Sequence, residues 1–243
     1  MTATAASRRL AEALRIRNAA GALALLLASP ASAQLAATIS LDSDYRLRGY
    51  SLSGGHPAAG VQLSYDDLSG VYVGLLGLTE LNSENLRFLG VVGNVGYAKR
   101  LSEHVTLDAG ILRSQLRSAG DYRLPFEYTE VYAGGYVGPV VGRIYYSPDY
   151  RGNGVSTLYG ELEAGFEPLP KWRLNGHVGA FVYLNAPYGH GSANAETDWR
   201  VSLSRQFGRV EIHSSVSGGG EGHYGEQPDR RNIAATIGTS VSF

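Results

Sequence analysis

The sequence predicts an all-β fold, an up-and-down antiparallel transmembrane β-barrel of about 12 strands. Segments in which apolar and polar residues alternate recur from residue 37 to the end of the chain. This period of two is typical of strands with two unlike faces. The connections between these segments alternate between short and long, and outward aromatic residues cluster at the segment ends. Together these features are typical of a barrel that crosses an outer membrane.

The alternation defines twelve segments, and an even number of strands brings both ends of a barrel to the same side. Residues 172–184 show the pattern well, because Trp172, Leu174 and Val178 share one parity while Arg173 and His177 share the other. No segment has a sustained helical period, and no linker divides the chain. The predicted strands cover residues 37–48, 58–66, 70–79, 87–98, 104–116, 127–137, 139–147, 155–166, 172–184, 197–207, 209–217 and 231–243.

The connections are sorted by length along the whole chain. The long polar ones are "GYSLSGGHP", "TELNSEN", "RSAGDYRLP", "SPDYRGNG", "NAPYGHGSANAE" and "SGGGEGHYGEQPDR". Between them lie "DLSG", "KRLSEH", "GP", "EPLPK" and "GR". A soluble β-sandwich has no reason to sort its loops in this way. Outer-membrane barrels do so, because they have short periplasmic turns and longer extracellular loops.

Aromatic residues on the apolar faces are predicted to form two belts. One set lies beside the short turns: Tyr65, Tyr97, Phe166, Trp172, Phe207 and Phe243. Tyr146 and Trp199 lie nearer the long loops. Aromatic belts on either side of an apolar band mark the two interfaces of a bilayer, so outer-membrane lipid is the predicted neighbour of the barrel.

The N-terminal 33 residues have the layout of a cleaved signal peptide. Arginines at positions 8, 9, 15 and 17 precede the apolar run 19–28, and "ASA" at 31–33 supplies small residues for cleavage. The run is too short to cross a bilayer as a helix, which takes about 20 residues. We therefore expect a mature chain that begins at Gln34, a barrel over 34–243, and a location in the outer membrane of a Gram-negative bacterium.

Composition excludes several other classes of protein. The 243-residue chain carries a net charge of −1 and no cysteine. Without residues 1–33, its 21 basic side chains fall by four to 17 and its 22 acidic ones by one to 21, so the net charge is −4. We predict no nucleic-acid partner, because such a partner calls for a basic patch. The absence of a long apolar run after residue 33 excludes a helical membrane protein.

The stretch "SDYRLRG" at 43–49 decides which face of the first strand points inward. The apolar parity, predicted to face lipid, contains Ile39, Leu41, Tyr45 and Leu47. The polar parity, predicted to face the lumen, contains Asp42, Asp44, Arg46 and Arg48. A slip of one residue would place these charges in hydrocarbon, where Arg costs about 2–4 kcal/mol at the bilayer centre. The parity of 70–79 and 87–98 stays open, because both segments have little contrast.

The same parity argument selects the candidate pore-lining residues. Besides the four charges of the first strand, they are Glu130, Arg143, Glu161, Glu163, Arg173, His177, Asp198 and Arg200. The predicted function is passive passage of small solutes or ions through a narrow charged lumen, as in a porin. The alternative is a largely filled, non-conducting structural or binding barrel, because twelve strands lie between small filled barrels and wide porins.

Enzymatic and metal-dependent functions find little support in the sequence. An outer-membrane lipid hydrolase would need an outward Ser–His pair with an orienting group. His177 and His213 point inward by parity, so we predict no enzyme and no cofactor. Three histidines in long loops, His56, His190 and His223, lack the spacing of metal ligands, so we predict no metal site.

The stretch "SDYRLRGYSLSGGHPAAGVQLSYDDLSGVYVG" (43–74) resembles the opening signature of the TorF-type porin family, also catalogued under the label Gcw as conserved hypothetical proteins. "YTEVYAGGY" (128–136) and "DWRVSLSRQFG" (198–208) are similar to later segments of that family. Leu47 and Tyr50 stand where the family pattern has Phe and Ile or Val. The resemblance implies an outer-membrane barrel that acts as a porin, and it carries over no binding residue.

The end of the chain predicts how the barrel is assembled. "TIGTSVSF" alternates and closes on Phe243, which resembles the terminal signal that the barrel-assembly machinery recognises in outer-membrane proteins. We therefore expect that machinery to be a partner during biogenesis.

Overall fold

The computed structural model describes residues 34–82, 86–117, 125–150, 152, 154–185, 195–219 and 233–243. Within these ranges the chain forms twelve long strands and one short hairpin. They are β1 (Gln34–Asp42), the hairpin strands β2 (Arg46–Leu47) and β3 (Tyr50–Ser51), β4 (Ala58–Asp66), β5 (Val71–Leu81), β6 (Leu86–Arg100), β7 (Val105–Arg117), β8 (Pro125–Val137), β9 (Val140–Tyr150), β10 (Val155–Leu169), β11 (Trp172–Tyr183), β12 (Ala195–Phe207), β13 (Val210–Gly219) and β14 (Ile233–Ser242). Across these described ranges, no helix has the length and apolar character needed to cross a membrane.

The twelve long strands close into an antiparallel barrel, as the alternation predicts. From β4 onward each strand pairs with its neighbours in the chain, and β1 pairs with both β4 and β14. The seam is in register from Thr38 opposite Ser242 to Asp42 opposite Gly238. Because every strand has two partners, the described barrel has no open edge. The predicted fold class, with twelve strands, is confirmed.

The outer surface of the barrel is apolar. Exposed side chains follow the outward parity of every strand, for example Ile39, Val61, Val73, Ile111 and Val178. The predicted aromatic residues lie on this surface, since Tyr65, Tyr97, Phe166, Phe207, Tyr146 and Trp199 are all exposed. An apolar exterior on a closed barrel is stable in lipid, because all backbone groups of the strands are paired internally.

The two ends of the barrel differ in the length of their connections. Short turns at 67–70, 101–104, 138–139, 170–171 and 208–209 lie at the same end as Gln34 and Phe243. In the first of these turns, hydrogen bonds from Ser69 hold the pKa of Asp67 below its usual value. The other end carries the connection 43–57 and the strand ends at Arg117, Tyr183 and Gly219. Two predicted long loops are shorter, because β5 continues to Leu81 and β9 to Tyr150, which leaves four residues before the next strand in each case.

The prediction for the first strand was wrong beyond Asp42. The structure ends β1 at Asp42, and residues 43–57 fold into the barrel, where we name them the inserted loop. Tyr45, predicted to face lipid, is 7% exposed inside the barrel. Leu47 also lies inside, packed against the interior apolar cluster. The alternation continues past Asp42 because the tight hairpin of the inserted loop is itself extended, not because the wall strand continues.

The interior apolar cluster lies where the inserted loop meets the wall. It contains Tyr45 and Leu52 from the loop and Ala58, Leu78, Leu89, Leu116, Tyr128, Tyr150, Tyr159 and Phe181 from the wall. The inward faces of β5 and β6 are therefore apolar in their loop-side halves, which explains the low contrast of the sequence there. A register shift next to Leu78 and a left-handed Gly90 (φ 138°) further break the alternation of β6.

Candidate functional site

The inserted loop is held together by the carboxylate of Asp44. The Ser53 hydroxyl donates to Asp44 Oδ1 over 2.9 Å, the Gly55 amide donates to the same oxygen over 3.3 Å, and Ser51 donates to it as well. Arg46 lies 3.2 Å from the second oxygen. The Ser53 hydroxyl also accepts a hydrogen bond from the Tyr45 amide. One acidic residue thus organises the loop as a compact unit.

The loop turns back at Arg48 and Gly49, and this turn touches the wall at β12 and β13. Both residues have positive φ, 48° and 82°. A Cβ on Gly49 would lie 2.9 Å from the carbonyl carbon of Gly219 and 3.1 Å from Cβ of Asp198. Only glycine fits this close approach in the left-handed conformation. The tip of the inserted loop therefore contacts β12 and β13, while the Arg48 side chain reaches across the lumen to Glu130 on β8.

The Arg48 guanidinium occupies a cage on the wall that we name the Arg48 cage: Glu130, Tyr128, Tyr145, Tyr159 and Phe181. Its two terminal nitrogens donate to Glu130 over 2.9 and 2.8 Å. The guanidinium carbon lies 4.0 Å from the ring centroid of Tyr159 and 5.4 Å from that of Tyr145. The rings of Phe181 and Tyr128 are 5.7 and 6.0 Å away. Bidentate pairing and cation–π contact both favour a guanidinium at this position.

A second charged network lies beside the cage on β10 to β12. His177 is placed between two carboxylates, with Nε2 2.8 Å from Asp198 and Nδ1 3.2 Å from Glu163. Arg200 lies 3.5 Å from Glu163. The Tyr159 hydroxyl donates to Asp198 over 3.1 Å, so this network also orients one ring of the Arg48 cage.

The interior nearer the short turns is filled on one side. Arg143 donates to Asp108 over 3.2 Å and also contacts the Tyr136 hydroxyl. The Tyr72 hydroxyl bonds both Asp108, at 3.0 Å, and the Tyr132 hydroxyl, at 2.7 Å. These side chains are buried. They close the lumen along β5 and β7 to β9 and leave space only along the remaining wall.

That remaining space is a cavity of about 280 Å³ between the inserted loop and the wall. It extends from Asp44 and Gly49 in the loop to Arg173 and Glu211, which lie close to the short turns. Hydroxyl side chains line its β12–β14 side: Ser202, Ser204, Ser215, Ser217 and Thr236. Beside the inserted loop the lining also includes apolar side chains such as Leu76 and Leu112, so the cavity is mixed in character. Its charged and hydroxyl side chains are suited to hydrated ions or small polar solutes.

Most of the residues predicted to line a pore border this cavity. They are Asp42, Asp44, Arg46, Arg48, Glu130, Glu161, Glu163, Arg173, His177, Asp198 and Arg200. Arg143 is the exception, because it points inward as predicted but is sealed in the cluster with Asp108. The structure also separates three members of the set from the wall strand on which they were predicted, since Asp44, Arg46 and Arg48 belong to the inserted loop.

The predicted pore-lining set left out other contributors to the lumen. Glu211 and His213 border the cavity, and His213, which was predicted to point inward, has its Nε2 2.7 Å from Asp42. Their parity matches that of Ser215 and Ser217, so the alternation of β13 contained the signal. Leu47 was missed because its parity assigned it to lipid, and Leu52 because it lies in a predicted long loop.

The charges around the cavity are unbalanced towards acid. Among the described residues that border it, the acidic ones are Asp42, Asp44, Glu130, Glu161, Glu163, Asp198 and Glu211, seven in all. The arginines are four: Arg46, Arg48, Arg173 and Arg200. In a narrow lumen, where charges act at lower effective dielectric than in bulk water, this excess favours cations over anions.

Of the six histidines, His56 lies in the inserted loop, whereas His190 and His223 lie outside the described residues. The described residues contain no group of three or more His, Cys, Asp or Glu side chains arranged to hold a metal ion.

The closed twelve-stranded barrel with a charged interior is a fold of outer-membrane channels, and solved structures of that class are similar to it. The NanC porin matches with a TM-score of 0.54 at 12% identity, covering 86% of this chain and 99% of that one. The KdgM porin matches with a TM-score of 0.52 at 12% identity over 86% and 99%. The COG4313 outer-membrane channel from Pseudomonas putida F1 matches with 0.52 at 11% identity over 89% and 97%.

The family model described as a bacterial protein of unknown function (Gcw_chp) matches residues 27–216, so the chain belongs to this family. The match includes the inserted loop and most of the barrel. No curated protein sequence matches the chain.

Proposed function

We propose that this protein is an outer-membrane porin through which small solutes or ions pass passively along a narrow charged lumen. The observation that carries the proposal is the cavity inside the barrel, with its charged and hydroxyl side chains. It extends from the inserted loop to residues near the short turns. A barrel that served only as a membrane anchor would have no need of such a lining.

The same proposal includes a route to the outer membrane. Residues 1–33 act as a signal peptide that is removed, and residues 34–243 fold as the barrel. The barrel-assembly machinery recognises the terminal strand and Phe243. The apolar exterior and the two aromatic belts support insertion into lipid. The resemblance of residues 43–74 to TorF-type porins supports the same assignment, as does the channel class of the similar folds.

The inserted loop sets the width of the passage. Its tip contacts β12 and β13 through Gly49, and Arg48 bonds Glu130 on β8. The loop thus crosses the lumen and leaves space on one side only. The cavity has a volume of about 280 Å³ and extends over most of the barrel length, so it has room only for a narrow file of water. We therefore expect ions and solutes of a few heavy atoms to pass.

Recording from purified, refolded protein in a planar bilayer tests this function. We expect discrete conductance steps that are smaller than those of wide sixteen-stranded porins, with selectivity for cations. Protein denatured by boiling before addition is the control for detergent artefacts. Swelling of proteoliposomes in solutes of increasing size then measures the width. Absence of conductance steps from correctly folded barrels would contradict the proposal.

A filled barrel that does not conduct is the second candidate, and the buried charged clusters favour it. Arg143 with Asp108, and Arg48 with Glu130, pair inside the barrel as a plug would. The recording separates the two candidates directly. Enzymatic activity is not part of either, since His177 and His213 lie inside the barrel against carboxylates, away from lipid.

A further inference from the structure

We infer that the Arg48 cage is a guanidinium-binding site in the lumen wall, which the inserted loop fills with its own side chain. An alkylguanidinium solute takes the same position when Arg48 is withdrawn. The site combines one carboxylate with several aromatic rings around one planar cation, and this is the chemistry that recognises a guanidinium group rather than a compact ammonium.

The carboxylate of Glu130 determines how a guanidinium is oriented in the cage. Glu130 is nearly fully buried, with its side chain 1% exposed, and both of its oxygens accept from Arg48. A buried carboxylate without a partner is strongly disfavoured. Once Arg48 is removed, Glu130 needs another cation, and a planar fork of N–H donors matches its two oxygens better than a spherical ammonium does.

The aromatic rings determine the shape of the binding site around the guanidinium. Tyr159 lies 4.0 Å from the guanidinium carbon, while Tyr145 and Phe181 lie within 6 Å. Two of these rings are fixed by hydrogen bonds that do not involve Arg48. The Tyr145 hydroxyl donates to Glu161 over 2.8 Å, and the Tyr159 hydroxyl donates to Asp198 over 3.1 Å. The cage is therefore held by the wall strands and persists when the loop leaves it.

Arg48 reaches the cage from a segment that is anchored separately from the wall. The left-handed backbone at Arg48 and Gly49 projects the side chain towards β8 and β10. Asp44 holds the loop as a unit through bonds within the loop itself. Loop and cage are distinct parts of the chain, although Tyr45 and Leu52 also pack in the apolar cluster that contains three rings of the cage. The guanidinium position itself is filled by one side chain, which an external guanidinium can replace.

Binding is tested in the refolded full barrel with Arg48→Ala and ethylguanidinium as the probe. We expect the temperature of heat modification of this variant to rise saturably by on the order of 5 °C at millimolar ethylguanidinium. Ethylammonium at the same concentration should give less than half of that shift. Arg113→Ala is the matched control, because Arg113 pairs with Glu127 on the barrel exterior without an aromatic cage. It should show no guanidinium-specific shift.

The inference deepens the proposed function by naming a solute class, and it rests on that function for its role in transport. If Arg48→Ala conducts, ethylguanidinium should reduce its conductance saturably over the range in which it stabilises the barrel. A saturable thermal shift without any conductance would refute the channel and leave the binding site standing. Equal effects of ethylguanidinium and ethylammonium, or an equal response of Arg113→Ala, would overturn the binding site.

If Arg48→Ala does not refold without an added guanidinium, its refolding yield tests the inference instead. Ethylguanidinium added during refolding should then increase the yield of folded Arg48→Ala, and ethylammonium should not. Arg48→Gln is the second variant, since its amide can donate one hydrogen bond to Glu130 while leaving the carboxylate charge unmatched. Arg48→Gln that folds and shows no guanidinium-specific shift would contradict the inference.

Discussion

Replacing Glu130 by Gln should release the inserted loop from the lumen. The substitution keeps the size of the side chain but removes the charge that pairs with Arg48. Arg48 would then stay buried beside aromatic rings without its carboxylate, at a cost of about 3–5 kcal/mol. The loop can avoid this cost only by leaving the cage.

Burial of apolar loop side chains opposes this release and holds the loop inside the barrel. Tyr45 and Leu52 are 7% and 3% exposed, and burial of two such side chains contributes at most about 3–6 kcal/mol. This free energy of burial is about as large as the free-energy cost of leaving Arg48 unpaired. The ratio of released to inserted loop should therefore rise by the full effect of the lost pair, about 10²- to 4 × 10³-fold, because each 1.4 kcal/mol is a factor of ten.

Limited trypsin digestion of the folded barrel measures that ratio. Arg46 and Arg48 are protected while the loop is inserted, and cleavage after either one is identified by mass spectrometry. When reinsertion is fast, the cleavage rate follows the released population, so Glu130→Gln should be cleaved about 10²- to 4 × 10³-fold faster at these sites than the wild type.

Glu127→Gln provides the control on the same strand. Its partner Arg113 is half exposed on the outer surface, and exposed pairs of this kind contribute only about 0–1 kcal/mol. Loop cleavage should stay at the wild-type rate in this variant. If Glu130→Gln is cleaved no faster than Glu127→Gln, then Arg48 does not hold the loop and the description of the constriction is wrong.

Other predictions concern selectivity, assembly and the barrel itself. Asp42→Asn combined with Asp44→Asn should move the reversal potential in a salt gradient towards anion selectivity; unchanged values would mean that these side chains do not face the permeating ions. Arg46→Gln combined with Arg48→Gln should move it towards cations and raise conductance from a constricted level, whereas a filled barrel would lose thermal stability without conducting. Deleting Phe243 should reduce membrane insertion in cells far more than the about 1.5–3 kcal/mol of one buried ring explains, and normal insertion would remove its role as an assembly signal. Unboiled protein should migrate differently from boiled protein on a denaturing gel, and extraction from washed membranes by carbonate alone would contradict a membrane-spanning barrel.

The sequence could predict the barrel because each wall strand has one face against lipid and one against a polar lumen. In β11 the outward Leu174 and Val178 oppose the inward Arg173 and His177, so periodicity alone separates the faces. The same rule fails where the interior is not polar. Leu78 points inward because it packs against the inserted loop, and no local pattern distinguishes it from a lipid-facing residue.

The stretch 43–49, which belongs to the inserted loop, shows the same limit of periodicity. In "SDYRLRG" the polar parity correctly places Arg48 inside the barrel, but periodicity cannot distinguish a wall strand from an extended segment folded within the wall. The distinguishing signal is Gly49, whose left-handed backbone ends the strand-like stretch and comes so close to Gly219 that a Cβ at Gly49 would lie 2.9 Å from its carbonyl carbon. A glycine directly after an alternating charged run, followed by inward apolar residues on β5 and β6, is what an inserted loop requires. Arg48, Leu76 and Leu78 therefore belong to one feature, the inserted loop. The loop needs a carboxylate partner for Arg48 and apolar wall side chains against which its own apolar residues pack.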